Sequence, residues 1–371
     1  MNFIISHFKR LDWLMALAAL ALAGIGLLSI YSSSIHSGDF GNFTKQAIFL
    51  GVGFFLMLAL SFFDWRLFRE SSAFILILYF LSVVALVGLF FFGSTNRGVR
   101  TWYDFGSFTF DPIELLKPVL VILLAKYFSS RHIAMYQLRH TLLSGFYVAL
   151  PAALIFIQPN LGPCLVIFSL WIGMLVISGI KMRHLFLIFL IFLVVSAAGW
   201  MFFLKDYQKA RVMSFFVPYD PLGVSWSQNQ SKIAVGTGGL FGKGIGQGSQ
   251  TQYGFLSEPQ TDFIFAAISE EFGLFAIIII MALMLLLVAR ATRSALRARD
   301  NFSRLFTAGF AVLLVAEAVI HIGVNIGFLP IIGLPLPLVS YGGSNLIATF
   351  ALLGLVQGIV IASRSVVIEE V

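Results

Sequence analysis

Charged side chains are scarce in this sequence. Only 11% of its 371 residues are Asp, Glu, Lys or Arg, whereas 59% are hydrophobic and the mean hydropathy is +0.95. A soluble domain carries about a quarter charged residues, because its surface must stay hydrated. The scarcity excludes a soluble globular protein. Apolar runs that recur along the whole chain are long enough to cross a hydrocarbon core of ~30 Å.

Cysteine is also nearly absent. Cys164 is the single cysteine, which excludes an intrachain disulfide and a cysteine zinc site. The formal net charge is +7, and cationic cytoplasmic loops that follow the positive-inside rule account for most of the basic residues. We therefore expect no nucleic-acid partner.

The apolar segments predict an all-α polytopic integral membrane protein with about ten transmembrane helices. We place the spans at residues 13–35, 46–63, 72–93, 113–128, 141–157, 163–180, 184–204, 262–289, 303–327 and 344–363. Fifteen of the 24 Lys and Arg residues fall on one side of this arrangement, so both termini are predicted to be cytoplasmic. One long outer loop, about 205–261, then joins helices seven and eight. We expect the chain, 1–371, to form a single transmembrane domain.

The outer loop contains a glycine-rich stretch. Seven glycines lie between residues 236 and 248, with Lys232 and Lys243 nearby. Such glycines either let backbone amides surround an anion such as a diphosphate, or form a flexible loop. Their spacing fits neither the dinucleotide fingerprint nor the P-loop, so we expect no nucleotide cofactor.

Asp262 stands where this loop enters an apolar helix. With Thr261 as the N-cap, an aspartate in the first turn would stabilise the helix. A carboxylate that is partly shielded from water at the membrane surface could instead act as a general base. The local sequence leaves both interpretations open.

Several ionisable residues fall inside predicted spans, where charge is costly. Glu114 and Lys117 are three residues apart, a spacing that lets them pair on one helix face, as a structural ion pair or as ligand contacts. Glu270 and Glu271 follow Asp262 on its helix and should face a cavity or a partner.

Glu317, His321 and Asn325 recur every fourth residue and form a polar stripe. The stripe is either a proton path or a set of interhelical hydrogen bonds, and we favour the hydrogen bonds. No histidine pair or second carboxylate supports a metal site there.

Several longer motifs together resemble one known family. They are DYQKARV (206–212), DPLG (220–223), QSKIAVGTGGLFGKG (230–244), TDFIFAAISEEFG (261–273) and PLPLVSYGGSN (335–345). These motifs resemble the SEDS family (shape, elongation, division and sporulation), and the resemblance covers nearly the whole chain. The residues in these motifs resemble the elongation (RodA) branch more than the division (FtsW) branch. Asn160 replaces the family's usual aspartate in the turn after Gln158, and Thr101 separates Arg100 from Trp102.

The resemblance implies a peptidoglycan glycosyltransferase of the bacterial cytoplasmic membrane that polymerises lipid II on the outer leaflet during elongation. It implies Asp262 as the essential acidic residue, here interpreted as a general base. A divalent cation (Mg²⁺ or Mn²⁺) could assist, with Asp262 as a candidate ligand. The implied partners are a class B penicillin-binding protein transpeptidase and, in an elongation complex, MreC and MreD. The candidate substrate-binding residues are Glu114, Lys117, Arg100, Trp102, Gln158, Ser231, Lys232, Lys243 and Ser340.

Two other functions are consistent with the sequence. A transporter or flippase for the lipid-linked precursor would suit the proline-bounded turns at 158–163 and 329–337 and the buried charges. A non-catalytic scaffold that activates a transpeptidase would need no base at Asp262.

Overall fold

The computed structural model describes residues 2–96, 99–106, 108–131, 138–158, 160–203, 209, 213, 215 and 225–367. Within these ranges the fold is a bundle of helices with one small antiparallel sheet. The helices, in chain order, are α1 (Asn2–Arg10), α2 (Trp13–Ser34), α3 (Gly41–Ser61), α4 (Arg66–Glu70), α5 (Ser72–Phe92), α6 (Pro112–Arg131), α7 (Leu138–Ile157), α8 (Leu161–Ile177), α9 (Met182–Ala198, continued by a π-helical turn, Gly199–Phe203), α10 (Trp226–Thr237), α11 (Ser249–Gln252), α12 (Ile264–Arg297), α13 (Asn301–Asn325) and α14 (Gly343–Val367). The strands are β1 (Ser94–Asn96), β2 (Val99–Asp104) and β3 (Thr109–Phe110).

Eight of the helices in the described ranges are long and apolar enough to cross a membrane. These are α2, α3, α5, α7, α9, α12, α13 and α14. The two remaining predicted spans coincide with α6, which carries charged residues, and with the shorter apolar helix α8. The predicted all-α polytopic fold is confirmed, whereas the count of ten spans and the orientation stay predictions.

The spans share one apolar core. A single cluster of buried apolar side chains extends from Met15 to Val360. Helix α13 packs against α6, α8 and α12, and α14 packs along α3. Glycines bring α3 and α14 close together: Gly53 of α3 faces Phe350 of α14, and Gly354 of α14 faces the backbone of Met57 in α3. Small residues of this kind let membrane helices approach and pack.

Helix α12 is interrupted at Gly273. This residue has φ 75° and ψ −172°, a backbone conformation that is essentially restricted to glycine. The residues after the break bond to a loop instead of to their own helix: Leu274 N–H donates to Gly239 O (2.9 Å), and Phe275 N–H donates to Leu240 O (3.1 Å). The segment before the break, residues 264–272, is called the half-helix below.

The same loop also bonds to the carbonyl end of the half-helix. Lys243 N–H donates to Glu270 O, and Gly244 N–H donates to Glu271 O, each at 2.9 Å. Unpaired backbone groups cost several kcal/mol in an apolar environment, so these bonds make the interruption tolerable. We call residues 238–244 the glycine loop.

The described part of the outer loop, residues 225–261, contains more regular structure than the sequence suggested. Helices α10 and α11 lie within the predicted loop, and α10 packs on α12 and α13. The alternative of a flexible loop for the glycine-rich stretch is not supported at residues 238–244, because their backbone pairs with both sides of the break in α12.

We expect Gly273→Ala to destabilise the protein by ~1–3 kcal/mol, the typical cost of a strained backbone conformation. A methyl group at this position would also overlap the backbone of Gly242. Thermal unfolding in one detergent measures the change. Gly24→Ala is the matched control, because a methyl group at Gly24 meets nothing within 4 Å. Equal melting temperatures for the two variants would contradict the assignment.

Candidate active site

Asp262 lies in a turn immediately before α12. The helix begins at Ile264, and its N-cap residue, Phe263, makes no side-chain capping hydrogen bond. The helix-capping interpretation of Thr261 and Asp262 is therefore wrong. The turn closes on itself instead, because the backbone N–H groups of Thr261 and Phe263 both donate to Glu258 O at 3.2 Å.

The carbonyl groups before Asp262 are held by the segment that leads into α14. Gln260 O accepts a hydrogen bond from Tyr341 N–H (2.8 Å). Thr261 O accepts one from the Ser340 hydroxyl (2.8 Å), whose oxygen in turn accepts from Leu336 N–H (2.8 Å). The Ser340 side chain is buried, so it supports the turn from the protein interior. Its predicted role as a substrate ligand stays a prediction.

Asn325 holds the carbonyl of Asp262 itself. Its Nδ2 donates to Asp262 O (3.0 Å) and to His321 O (2.9 Å), and its Oδ1 accepts from Ala266 N–H (3.2 Å). Its own carbonyl accepts from the Ser231 hydroxyl (2.8 Å). Asn325 is completely buried. One amide thus links the end of α13, the start of α12 and helix α10, which confirms interhelical hydrogen bonding for this member of the stripe.

The Asp262 side chain is partly exposed and lies against Gly333. A methyl group at Gly333 would stand 3.0 Å from Asp262 Oδ2. A methyl group at Gly162 would stand 3.0 Å from Gly333 O, so the two proline-bounded turns meet beside Asp262. Nδ1 of the buried His321 lies 2.7 Å from the next carbonyl, Leu334 O.

Helix α10 contributes a cation to the same region. Lys232 follows Ser231, is exposed, and lies over Gly327, where a methyl group would come 2.9 Å from Lys232 Cδ. It takes part in none of the salt bridges found in the described ranges. Lys232 is therefore available to an anion.

Glu114 and Lys117 belong to a separate buried cluster. Lys117 Nζ lies 2.7 Å from Glu114 Oε1 and 2.5 Å from Glu317 Oε1, and Asn345 Nδ2 donates to Glu114 Oε2 (2.8 Å). The predicted pairing of Glu114 with Lys117 is confirmed. All four side chains are buried and bonded to one another, and a contact with substrate stays a prediction.

Lys243 pairs with Glu270. Lys243 Nζ lies 2.8 Å from Glu270 Oε1. The buried carboxylate also accepts from the Ser249 hydroxyl (3.2 Å), Gln250 N–H (2.9 Å), and the N–H (3.0 Å) and hydroxyl (2.9 Å) of Thr251. Glu270 therefore anchors the segment after the glycine loop, and a substrate would compete with it for Lys243.

The remaining candidates are Gln158, Trp102 and Arg100. Gln158 is buried, and its Nε2 donates to Leu86 O (3.0 Å). Trp102 is a partly exposed residue of β2, where Arg100 pairs with Thr95 through the backbone. The Arg100 side chain lies outside the described residues, as do DPLG (220–223) and most of 206–212.

The described residues do not by themselves build a metal centre. No three Asp, Glu, His or Cys side chains in the described ranges gather in a way that could hold a metal ion. Mg²⁺ often takes only one or two carboxylates and completes its shell with water and substrate phosphates. A divalent cation at Asp262 stays a prediction.

Asn325 and Gly333 are the parts of this site that the sequence did not reveal. Asn325 was visible only as the last member of a polar stripe, and its contact with Asp262 spans 63 positions. Gly333 had no signal beyond its place in a proline-bounded segment.

Comparison with known proteins adds independent information. A family model for FtsW, RodA and SpoVE, described as a cell cycle protein, matches residues 12–365. The chain is 35% identical to the peptidoglycan glycosyltransferase MrdB of Escherichia coli (strain K12) over 351 residues, which cover 94% of this chain and 93% of MrdB. It is 33% identical to the stage V sporulation protein E of Bacillus subtilis (strain 168) over 365 residues, which cover 95% and 98% of the two chains.

Solved structures of related proteins are also similar to this chain. A chain of a peptidoglycan synthase complex that coordinates polymerization and crosslinking is similar with a TM-score of 0.80 and 30% identity, covering 96% of this chain and 98% of that one. The rod shape determining protein RodA of Thermus thermophilus is similar with a TM-score of 0.69 and 30% identity, covering 96% and 97%. With the apolar helices, these relatives place the chain in the bacterial cytoplasmic membrane as a multi-pass protein, as predicted. Because the family model covers most of the sequence, this chain belongs to the FtsW, RodA and SpoVE family of cell cycle proteins, the SEDS family that its motifs resemble.

Proposed function

We propose that this chain is a peptidoglycan glycosyltransferase that polymerises lipid II at the outer face of the cytoplasmic membrane during cell elongation. The proposal rests mainly on the partly exposed carboxylate of Asp262. The turn that carries it is held in place, because its three carbonyls, from Gln260 to Asp262, are all hydrogen-bonded to other segments. Relatives named peptidoglycan glycosyltransferases support the class of reaction.

Asp262 acts as the general base. Its carboxylate accepts the proton of an acceptor sugar hydroxyl while that oxygen attacks the anomeric carbon of the donor. A new bond forms between the acceptor oxygen and the anomeric carbon. The bond from that carbon to the diphosphate oxygen breaks, and the lipid diphosphate leaves with the electron pair.

Among the cations that the structure describes, Lys232 is the one we assign to stabilise the leaving diphosphate. It is exposed on α10, next to Ser231, which bonds to the Asn325 backbone. Lys117 and Lys243 already lie against the carboxylates of Glu317 and Glu270. A preorganised cation beside a developing negative charge lowers the barrier, because it needs no reorganisation during the reaction.

A crosslinking partner fits this function. The similarity to a chain of a complex that coordinates polymerization and crosslinking supports a class B penicillin-binding protein transpeptidase as the partner. We extend the proposal to MreC and MreD as members of an elongation complex. A divalent cation would be held mainly by the substrate's phosphates and Asp262, and the steps above do not depend on it.

The alternatives have less support. A transporter would use a broken helix as an open ion or substrate site. Here the glycine loop bonds to both sides of the break in α12. A non-catalytic scaffold gives no reason for a supported, partly exposed aspartate at the membrane surface.

We expect Asp262→Asn to abolish polymerisation of purified lipid II, because an amide cannot accept the hydroxyl proton. The variant should keep its melting temperature, since the backbone carbonyl bonded to Asn325 remains. Asp39→Asn is the control for loss of one carboxylate at the same end of the bundle, because Asp39 is exposed and its carboxylate accepts a local hydrogen bond from Gly41 N–H.

Glycan products are followed on gels, in parallel with exchange of fluorescent lipid II between vesicle leaflets. Polymer at the normal rate from Asp262→Asn would disprove the base assignment. Leaflet exchange by the natural chain without any polymer would favour a transporter.

Asn325→Ala should lower kcat on the order of 100-fold with little change in KM, because small displacements of a catalytic group cost that much. The control is Gln228→Ala. Gln228 is also a buried amide, and it donates to Leu329 O (2.7 Å) but not to the Asp262 turn. Similar losses of kcat in both variants would show a general packing effect and would contradict a positioning role for Asn325.

A further inference from the structure

The hairpin between α5 and α6 turns back toward the membrane. Strand β1 begins just after α5, and Ser94 lies opposite Trp102 of the antiparallel strand β2. Trp102 is therefore level with the end of α5. The residues that follow Trp102 continue past this level, alongside the helix.

A hydrogen bond shows how far the hairpin descends. The Tyr103 hydroxyl donates to Ala85 O at 2.6 Å. A methyl group at Gly88 would overlap the same hydroxyl, so this glycine makes room for the tyrosine. Ala85 lies seven residues before Phe92, the end of α5, which corresponds to ~10 Å along a helix axis. Tyr103 thus lies beside the last two turns of a membrane span.

Two phenylalanines project from the hairpin just beyond Tyr103. Phe105 is 60% exposed and Phe108 is 49% exposed, and their rings stack at 5.2 Å. On α5, Phe91 and Phe92 are also strongly exposed. The hairpin pair therefore continues the apolar surface that α5 presents to lipid.

The polar groups of the hairpin are compatible with a position at the boundary between headgroups and acyl chains. Phe105 N–H donates to Phe108 O (3.0 Å), and Gly106 N–H donates to Asp104 Oδ1 (2.8 Å). Asp104 pairs with Thr109 through the strands and keeps its side chain exposed. Polar groups rarely enter hydrocarbon without a hydrogen-bond partner. The hairpin meets this requirement, because its backbone groups are paired and its aspartate reaches the headgroups.

We propose that Phe105 and Phe108 insert into the lipid leaflet on the Asp262 side of the bundle, so that this hairpin is a membrane-surface contact. The hairpin continues into the start of α6, where Asp111 N–H donates to the Ser344 hydroxyl of α14 (3.1 Å). The contact therefore ties the lipid surface to the helix that follows the Ser340 segment.

A spin-label experiment tests this proposal, and the sequence makes it simple. Cys164 is the only cysteine and is buried, so Cys164→Ser gives a background without reactive thiols. Phe105→Cys is labelled with a nitroxide in the full chain, reconstituted in phosphatidylglycerol and phosphatidylethanolamine vesicles. Val84→Cys, on the exposed face of α5, is the lipid control, and Ser37→Cys, in an exposed loop at the same end of the bundle, is the water control.

Collision rates with oxygen, which concentrates in hydrocarbon, and with a water-soluble nickel chelate report the environment of each label. We expect the oxygen-to-nickel ratio at position 105 to be several-fold above that at position 37 and to approach that at position 84. A ratio equal to that at position 37 would overturn the proposal. Low accessibility to both reagents would also overturn it and would indicate a protein partner. Phe108→Cys gives a second, independent reading if the first variant does not fold.

Discussion

Backbone groups at the break in α12 need hydrogen-bond partners, because a membrane helix has no water beside it. The glycine loop supplies them, and this requires close backbone contact between Gly242 and Gly273. The Lys243–Glu270 pair then fixes the end of the loop. The glycine loop and the half-helix therefore form one unit, and Asp262 lies just before the half-helix begins.

The buried charges also need partners within the protein. Removing one partner from a buried ion pair is strongly destabilising, because the remaining charge is left without compensation. Lys117 is shared by Glu114 and Glu317, and Arg290 Nε bonds to Asp12 Oδ2 (2.9 Å) at the opposite end of the bundle. These charges hold helices together. Asp262 is partly exposed and Lys232 is exposed, so both can be reached by a substrate.

Hydropathy was sufficient to predict a polytopic all-α fold, because most of the apolar runs are long and bounded by polar residues. The spacing of Glu114 and Lys117 was sufficient to predict their pairing, since contacts across three residues on a helix are local. The break in α12 could not be predicted in this way, because Gly273 lies inside a predicted span and no proline stands near it.

The contacts that define the site are equally hidden from local patterns. Asn325 reaches Asp262 across 63 positions, and Thr251 reaches Glu270 across 19. The strands between α5 and α6 were not predicted either, because they are only two to six residues long. Topology thus placed Asp262 near the membrane surface, while its support depends on tertiary contacts.

The glycine loop holds the far end of the half-helix, while Asn325 holds its start and the carbonyl of Asp262, and we propose that the two together position Asp262 for glycosyl transfer. The most direct test is lipid II polymerisation by purified Gly242→Ala, below its melting temperature. A methyl group there would overlap the Glu271 carbonyl, whereas a methyl group at Gly236 meets nothing within 4 Å. We predict a turnover lower by at least about 10-fold for Gly242→Ala and near-normal turnover for Gly236→Ala, since a displaced catalytic group loses rate steeply. Normal turnover by a folded Gly242→Ala protein would contradict the account.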